Sequence, residues 1–243
     1  MSKRSIEVFS TAQSFQEDEV RSKTVIVIDV LRASSSMVTA FVNGAKGIIP
    51  VEDMSAASRI AANLDTKSVI LCGEKDGHKI AGFQYGNSPM EFSKETVEGR
   101  TMILHTTNGT KAVTRAALAS RIMIGCFLNA GAVVEELKKY DDDIILICAG
   151  WKTRLSLEDM LCAGLIIDRL MDGTIDEEAT DGAKMAHLLY KNYEDDIEGA
   201  VLKSSHARRL EGIAHPNDIF YCSQIDLISI VPHVNMKDGI ILS

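Results

Sequence analysis

Short runs of β-branched and other apolar residues alternate along this chain with stretches whose apolar positions recur at helical spacing. Residues 24–30 are almost continuously apolar, the pattern of a strand covered on both faces. Helical spacing follows over 34–43, with Gly44 placed to cap it. The next pair is a strand over 47–51 and an Ala-rich helix over 54–64, started by Asp53 or Ser55. Further strands are predicted over 68–72, 101–105, 121–125 and 143–148. Helices are predicted over 108–119, 129–140 and 156–171. The stretch 181–212 reads as helical and charged, and residues 220–222 and 226–231 as late strand or loop.

This alternation predicts an α/β fold: mostly parallel β-sheet layers covered by helices on both faces, with ligands gathering at the carboxyl ends of strands. The chain is read as one unit over residues 1–243. Two tightly joined lobes, divided near 118–122, are the alternative. The segment 75–88 breaks the rhythm. It carries three glycines and two aromatics without a clear period, and an insert of this kind in a compact domain is commonly functional.

Charge narrows the function classes. The formal net charge is -8 and no Lys/Arg stripe is present, so nucleic-acid binding has no electrostatic footing. An anionic ligand would need cations or a metal gathered locally. The five cysteines form no CxxC pair and lie among apolar neighbours, as expected of reduced, buried thiols. Residues 1–21 are polar and no apolar run approaches membrane-spanning length, so a cytoplasmic protein without membrane contact is expected.

Candidate chemistry falls at five turns that follow predicted strands. Asp29 ends an apolar run and is followed by Arg32; a half-buried carboxylate needs a partner. The bland reading is an Asp29–Arg32 pair closing the turn. The functional one makes Asp29 a metal ligand or nucleophile and Arg32 a phosphate clamp. Ser34 and Ser35 either start a helix or aim donors at an anion. Glu74 and Lys75 set a carboxylate beside a cation. Asn87 precedes Ser88 and Glu91, which fit a capping box with Pro89 between them. In the run His105 to Lys111, Asn108, Gly109 and Thr110 fit either a plain Asn-Gly turn or an anion-binding nest at a helix start. Lys152 and Arg154 precede Ser156, Glu158 and Asp159. Ser156 with Asp159 fits a second capping box, whereas the two acids also suit magnesium.

The ordered segments IDVLRASS, GEKDGHKIAGFQYGNSP, TTNGT and CAGWKTRLSLEDMLCAG, with SSHARRLEGI and then Asp218, Cys222, Asp226, Val231 and Pro232, resemble the 2-phosphosulfolactate phosphatase family. The resemblance spans roughly residues 25–232. It implies magnesium-dependent hydrolysis of 2-phospho-3-sulfolactate to 3-sulfolactate and phosphate, a step on a route to coenzyme M in some organisms. The family pattern lands on Asp29, Arg32, Glu74, Asn87, Asn108, Gly109, Glu158, Asp159, His206 and Arg208. This chain departs from it at Lys75, Ala81, Gln84, Thr153 and Ala207.

On this resemblance Mg²⁺ is expected on some of Asp29, Glu74, Glu158 and Asp159. Arg32, Lys75 and the Asn108–Gly109 N–H groups are expected at the phosphate, and Lys152, Arg154 or Arg208 at the sulfonate or carboxylate. His206 is the expected proton donor. Either Asp29 attacks phosphorus or a metal-activated water does; Leu31 stands where common aspartyl phosphatases carry a second Asp, which favours water. The competing class is a non-catalytic binder of a phosphorylated or sulfonated 2-hydroxy acid. A nucleotide-binding reading is disfavoured, because the sequence lacks GxxxxGK[ST] and a strand-linked GxGxxG. A homodimer is expected from the prevalence of two-fold oligomers.

Overall fold

The structure, a computed structural model, describes residues 4–65 and 67–243. The first three residues of the polar N-terminal stretch therefore lie outside the described residues. In chain order the first half contains β1 (Ile6–Phe9), β2 (Thr24–Ile28), α1 (Ala33–Val42), β3 (Gly47–Pro50) and α2 (Met54–Ala62). It continues with β4 (Val69–Lys75), β5 (His78–Lys79), α3 (Lys94–Val97), β6 (Thr101–His105) and α4 (Gly109–Arg115). The second half contains β7 (Arg121–Gly125), α5 (Ala130–Leu137), β8 (Ile144–Cys148), α6 (Leu157–Leu170) and α7 (Asp181–Tyr193). It ends with α8 (Ile197–Leu202), α9 (Ser205–Leu210), α10 (Asp218–Cys222), β9 (His233–Val234) and β10 (Ile241–Leu242).

Among the described residues the strands form one mostly parallel sheet of ten, in the order β1-β8-β2-β7-β9-β10-β3-β6-β4-β5. Strand β2 is buried along its whole length, as its unbroken apolar run requires. It lies between β7 and β8, so the sheet pairs residues from both sides of the 118–122 segment. In the β3–β6–β4 block alternation decides the faces. Met102, Leu104, Ile48 and Ile70 join the main core, while Ile103 packs with Ala57 of α2 in a smaller cluster. Gly44 caps α1 as expected, with φ of 94° and its N–H on Phe41 O. Asp53 caps α2 by accepting from Ala56 N–H.

Two expectations fail. The pairs β7–β9, β9–β10 and β10–β3 are all antiparallel, so the β1–β8–β2–β7 block and the β3–β6–β4 block run in opposite directions. The turn motifs therefore do not gather at one end of a single parallel sheet. They meet because twist accumulates: at roughly 20–25° per strand, the five steps from β2 to β6 rotate one block by about 100–125° against the other. Residues 220–222 are not strand or loop but the end of α10. The Tyr221 N–H bonds to Asn217 O, and Asp218 and Cys222, four apart, turn one face inward.

Candidate active site

Asp29 stands one residue past β2 and starts the turn into α1. Its Oδ1 accepts from Ala33 N–H at 3.3 Å, and its backbone oxygen accepts from Ser34 N–H at 2.9 Å. The serines that follow build this turn rather than face a ligand. The Ser34 hydroxyl accepts from Asp29 N–H at 3.0 Å, and the Ser35 hydroxyl donates to Val30 O at 2.8 Å. Both residues are fully buried and line no part of the cleft, so their expected role as anion donors gives way to a structural one.

The cleft is walled by Asp29, Arg32, Glu74, Asn87, Asn108, Lys152 and His206, all expected. Glu74 ties two of the walls together. Its Oε1 accepts from Thr107 N–H at 2.9 Å and its Oε2 from Gly77 N–H at 2.6 Å. Asn108 and Gly109 begin α4, whose first-turn N–H groups have no partner within the helix. Thr110 is buried behind them with its N–H on Thr106 Oγ1 at 3.2 Å, away from the cleft surface. Ser88 and Glu91 form the expected capping box, but around a three-residue 3₁₀ turn. Asn87 is buried beside it, and its Oδ1 has no hydrogen-bond partner.

Gly109 shows how tightly the two blocks meet. A Cβ there would lie 2.9 Å from Asp29 Oδ2 and 2.9 Å from Ala33 Cβ, closer than real contacts allow. Gly109→Ala is expected to displace Asp29, lowering kcat/KM at least tenfold. It is also expected to cost about 1–3 kcal/mol of stability by overpacking. Steady-state kinetics and chemical denaturation of that variant check both.

Arg32 does not pair with Asp29. Its Nη1 lies 2.7 Å from Asp218 Oδ2, with side chains 5% and 0% exposed, and its Nη2 donates to Gly77 O at 3.1 Å. The Ser88 hydroxyl donates to the other Asp218 oxygen at 2.5 Å. Asp218 lies between Arg32 and Ser88 and neutralises the guanidinium, so Asp29 has no guanidinium partner and the His206 charge alone opposes its own.

Glu158 and Asp159 also depart from expectation. Neither lines the cleft. Glu158 is fully buried with Oε1 2.9 Å from His206 Nδ1, while its Oε2 has no partner. Asp159 accepts from Val30 N–H at 2.8 Å and Gly150 N–H at 3.1 Å, clamping the loops after β2 and β8 together. The Ser156 hydroxyl caps Asp159 N–H at 3.4 Å as expected, but the Asp159 carboxylate does not return the bond that a capping box requires.

Electrostatics follow from this packing. Burial, opposed by the His206 charge and the Ala33 N–H and reinforced by Glu74 and Glu158, pushes the Asp29 carboxyl up to about 6. Burial, with the Asp29 and Glu158 charges, raises Asp159 well above the carboxylate range. Burial also pushes Glu158 up, but the hydrogen bond and charge of His206 outweigh it and hold the group low. All five cysteines are free and buried, and burial raises every thiol, Cys126 to about 12, so none is an activated nucleophile.

Three expected cations point elsewhere. Lys75, Arg154 and Arg208 are exposed and outside the cleft lining. Arg208 donates to Lys203 O at 2.5 Å on the far side of α9. Arg209 lines the cleft instead, together with Trp151 and Asp76, none of which sequence reasoning selected. Helix geometry carries the signal for Arg209: with His206 in the site, the residue three positions on shares its face, whereas the residue two positions on does not. Trp151, the single tryptophan, stacks on His206 with ring centroids 5.6 Å apart. Nothing local in the sequence signals Asp218 as the partner of Arg32.

Among the described residues no three His, Cys, Asp or Glu side chains converge where they could hold a metal ion, and no helix is long and apolar enough to cross a membrane. A family model described as 2-phosphosulpholactate phosphatase matches residues 9–237. A protein of Caldanaerobacter subterraneus subsp. tengcongensis is 38% identical over 236 residues, covering 97% of each chain. One from Thermotoga maritima is 42% identical over 213 residues, covering 88% of this chain and 89% of its own. One from Clostridium acetobutylicum is 38% identical over 227 residues, covering 93% and 96%. Each of the three carries the name probable 2-phosphosulfolactate phosphatase. With a match that runs almost from end to end, this chain belongs to the 2-phosphosulfolactate phosphatase family.

Proposed function

We propose that this protein is a magnesium-dependent phosphatase that adds water across the phosphate ester of 2-phospho-3-sulfolactate, giving 3-sulfolactate and phosphate. The observation that carries the reading is the Asp29 carboxylate. It is buried at the cleft, pushed up chiefly by that burial with Glu74 and Glu158 adding to it, and denied its expected Arg32 partner. Such a group is relieved by a cation. The donor set suits magnesium, a hard ion that takes oxygen ligands and is commonly held by one or two carboxylates, with water and substrate phosphate completing its shell.

Asp29 and Glu74, the two carboxylates of the expected set that line the cleft, would hold the ion. When bound, magnesium supplies charge neutralisation and polarisation of the phosphoryl group. The chain's own residues do the rest. The Asn108 N–H and the side-chain N–H of Asn87 would face the phosphate and stabilise the charge that builds on it, with Gly109 behind them outside the cleft lining. Arg32, held by Asp218, fixes the 76–77 turn as much as it adds charge. Water is the attacking group, since Asp29 has no second acid two residues on.

His206 gives a proton to the leaving alkoxide oxygen. Its Nδ1 is engaged by Glu158 and its ring is braced on Trp151, which leaves Nε2 as the proton-carrying atom. His206→Asn is expected to lower kcat for the sulfolactate ester about 10²-fold or more. An aryl phosphate, whose leaving group needs no proton, should lose far less. Equal losses on both esters would remove His206 from this role.

The reading as a whole is tested by phosphate release from 2-phospho-3-sulfolactate with Mg²⁺, with a chelator, and after Mg²⁺ is restored. Turnover that disappears and returns supports it. Turnover indifferent to chelation contradicts the metal, and tight binding without turnover favours a binding protein.

A further inference from the structure

We propose that Arg209 and Lys152, both set against the Trp151 ring, form the subsite that receives the sulfonate of a sulfonated hydroxy-acid phosphate, an assignment that rests on the phosphatase reading above. The cations at the cleft have different partners. Arg32 is neutralised by Asp218 in a buried pair. His206 is held by buried Glu158. The one acid Arg209 meets among the described residues is Asp76: its Nη2 donates to the Asp76 backbone oxygen at 2.8 Å and lies 3.6 Å from Oδ1 of a side chain that is 60% exposed. A contact so open to solvent contributes little and leaves the guanidinium charge available. Lys152 is exposed, with its Nζ 5.4 Å from the Trp151 ring centre. The cations left for a second anion are therefore Lys152 and Arg209.

They come from elements other than those that carry the phosphate end. Asp29 and Asn108 come from the loops after β2 and β6 and Glu74 from the end of β4, whereas Trp151 and Lys152 come from the loop after β8 and Arg209 from α9. The Arg209 guanidinium lies 5.7 Å from the Trp151 ring centre and is gripped by Asp76 O, so it is ordered before any ligand arrives. That lowers the entropy lost on binding. A sulfonate has three acceptor oxygens and keeps its charge throughout the working pH range. It can accept from a guanidinium and an ammonium together, whereas a planar carboxylate is better served by one free Arg fork. His206 and Arg209 stand three residues apart on α9, so an acid seated by its sulfonate presents its ester oxygen to the ring that supplies the proton.

The test is calorimetric binding of 3-sulfolactate and of lactate to the intact protein with Mg²⁺, for wild type, Arg209→Met and Lys152→Met. Arg209 also steadies the 76–77 turn, whereas the Lys152 side chain donates no hydrogen bond among the described residues, so the second variant separates charge from folding. Wild type should prefer sulfolactate at least tenfold, and each variant should cut that preference to threefold or less. Inorganic phosphate affinity, which reads the Asn108 end, should change less than sulfolactate affinity. An unaltered preference in both variants, or none in wild type, overturns the subsite whether or not phosphate esters are turned over. A preference that collapses as expected in a protein without phosphatase turnover supports the subsite and removes the phosphatase reading instead.

Discussion

Asp29→Asn is expected to raise the stability of the magnesium-free protein at pH 7 while lowering kcat/KM about a thousandfold. The two effects share one cause. The Asp29 carboxyl is pushed up to about 6 from an ordinary 3.8, because burial and neighbouring acids penalise its charge. The folded chain therefore binds that proton more tightly than the unfolded chain. The stabilisation this gives is complete below pH 3.8 and is lost as pH rises through about 6. Above that range the folded protein carries a charge it does not favour. The gap corresponds to about 3 kcal/mol at ~1.36 kcal/mol per pH unit. Asn removes the charge and keeps an oxygen for the Ala33 N–H, so the metal-free variant should melt about 5–10 °C higher at pH 7. Below pH 4 the two proteins should converge. Thermal melts across pH with a chelator present check this, and the same melts with Mg²⁺ should narrow or reverse the gap, since Asp at position 29, unlike Asn, offers a carboxylate to the ion.

The second large effect concerns Arg32 and Asp218. Asp218→Ala leaves a guanidinium buried without its carboxylate, and breaking a buried pair from one side costs about 3–5 kcal/mol. The Ser88 hydroxyl loses its acceptor as well. The double variant Arg32→Met with Asp218→Leu should recover most of that stability, because it removes both desolvated charges. It should not recover activity, because the Gly77 carbonyl that Arg32 holds is then free and the turn carrying Glu74's second partner loosens. Denaturant melts and kcat/KM of the three variants form the check. Full activity in the stable double variant would show that the pair serves folding alone.

Much of the fold was legible because it rests on local pattern. Strands β6 and β7 fall on the expected residues, and the unbroken apolar run of β2 announced a strand covered on both faces. Strands β9 and β10 have two residues each and too little pattern to announce themselves, yet they reverse one block of the sheet against the other. Strand β1, four residues long, lies in a polar N-terminal stretch that masks its pattern.

The site divides the same way. Asp29, Glu74, Asn87 and Asn108 were legible because each follows a strand or opens a helix, and the fold delivers them to one cleft. The Arg32–Asp218 pair joins residues 186 apart, a distance over which no local rule operates. Glu158 and Asp159 were recognised as acids of consequence, but side-chain direction sends one to His206 and the other to two backbone N–H groups. Arg208 and Arg209 differ by one helix position, about 100° of rotation, which is the difference between solvent and cleft.

The decisive measurement is kcat/KM for 2-phospho-3-sulfolactate in Mg²⁺, beside 2-phospholactate, phosphoglycerate and an aryl phosphate. Magnesium-dependent release of phosphate from the sulfonated ester is expected, with kcat/KM at least tenfold above the others. Equal rates on every ester, or none on the sulfonated one, would contradict it.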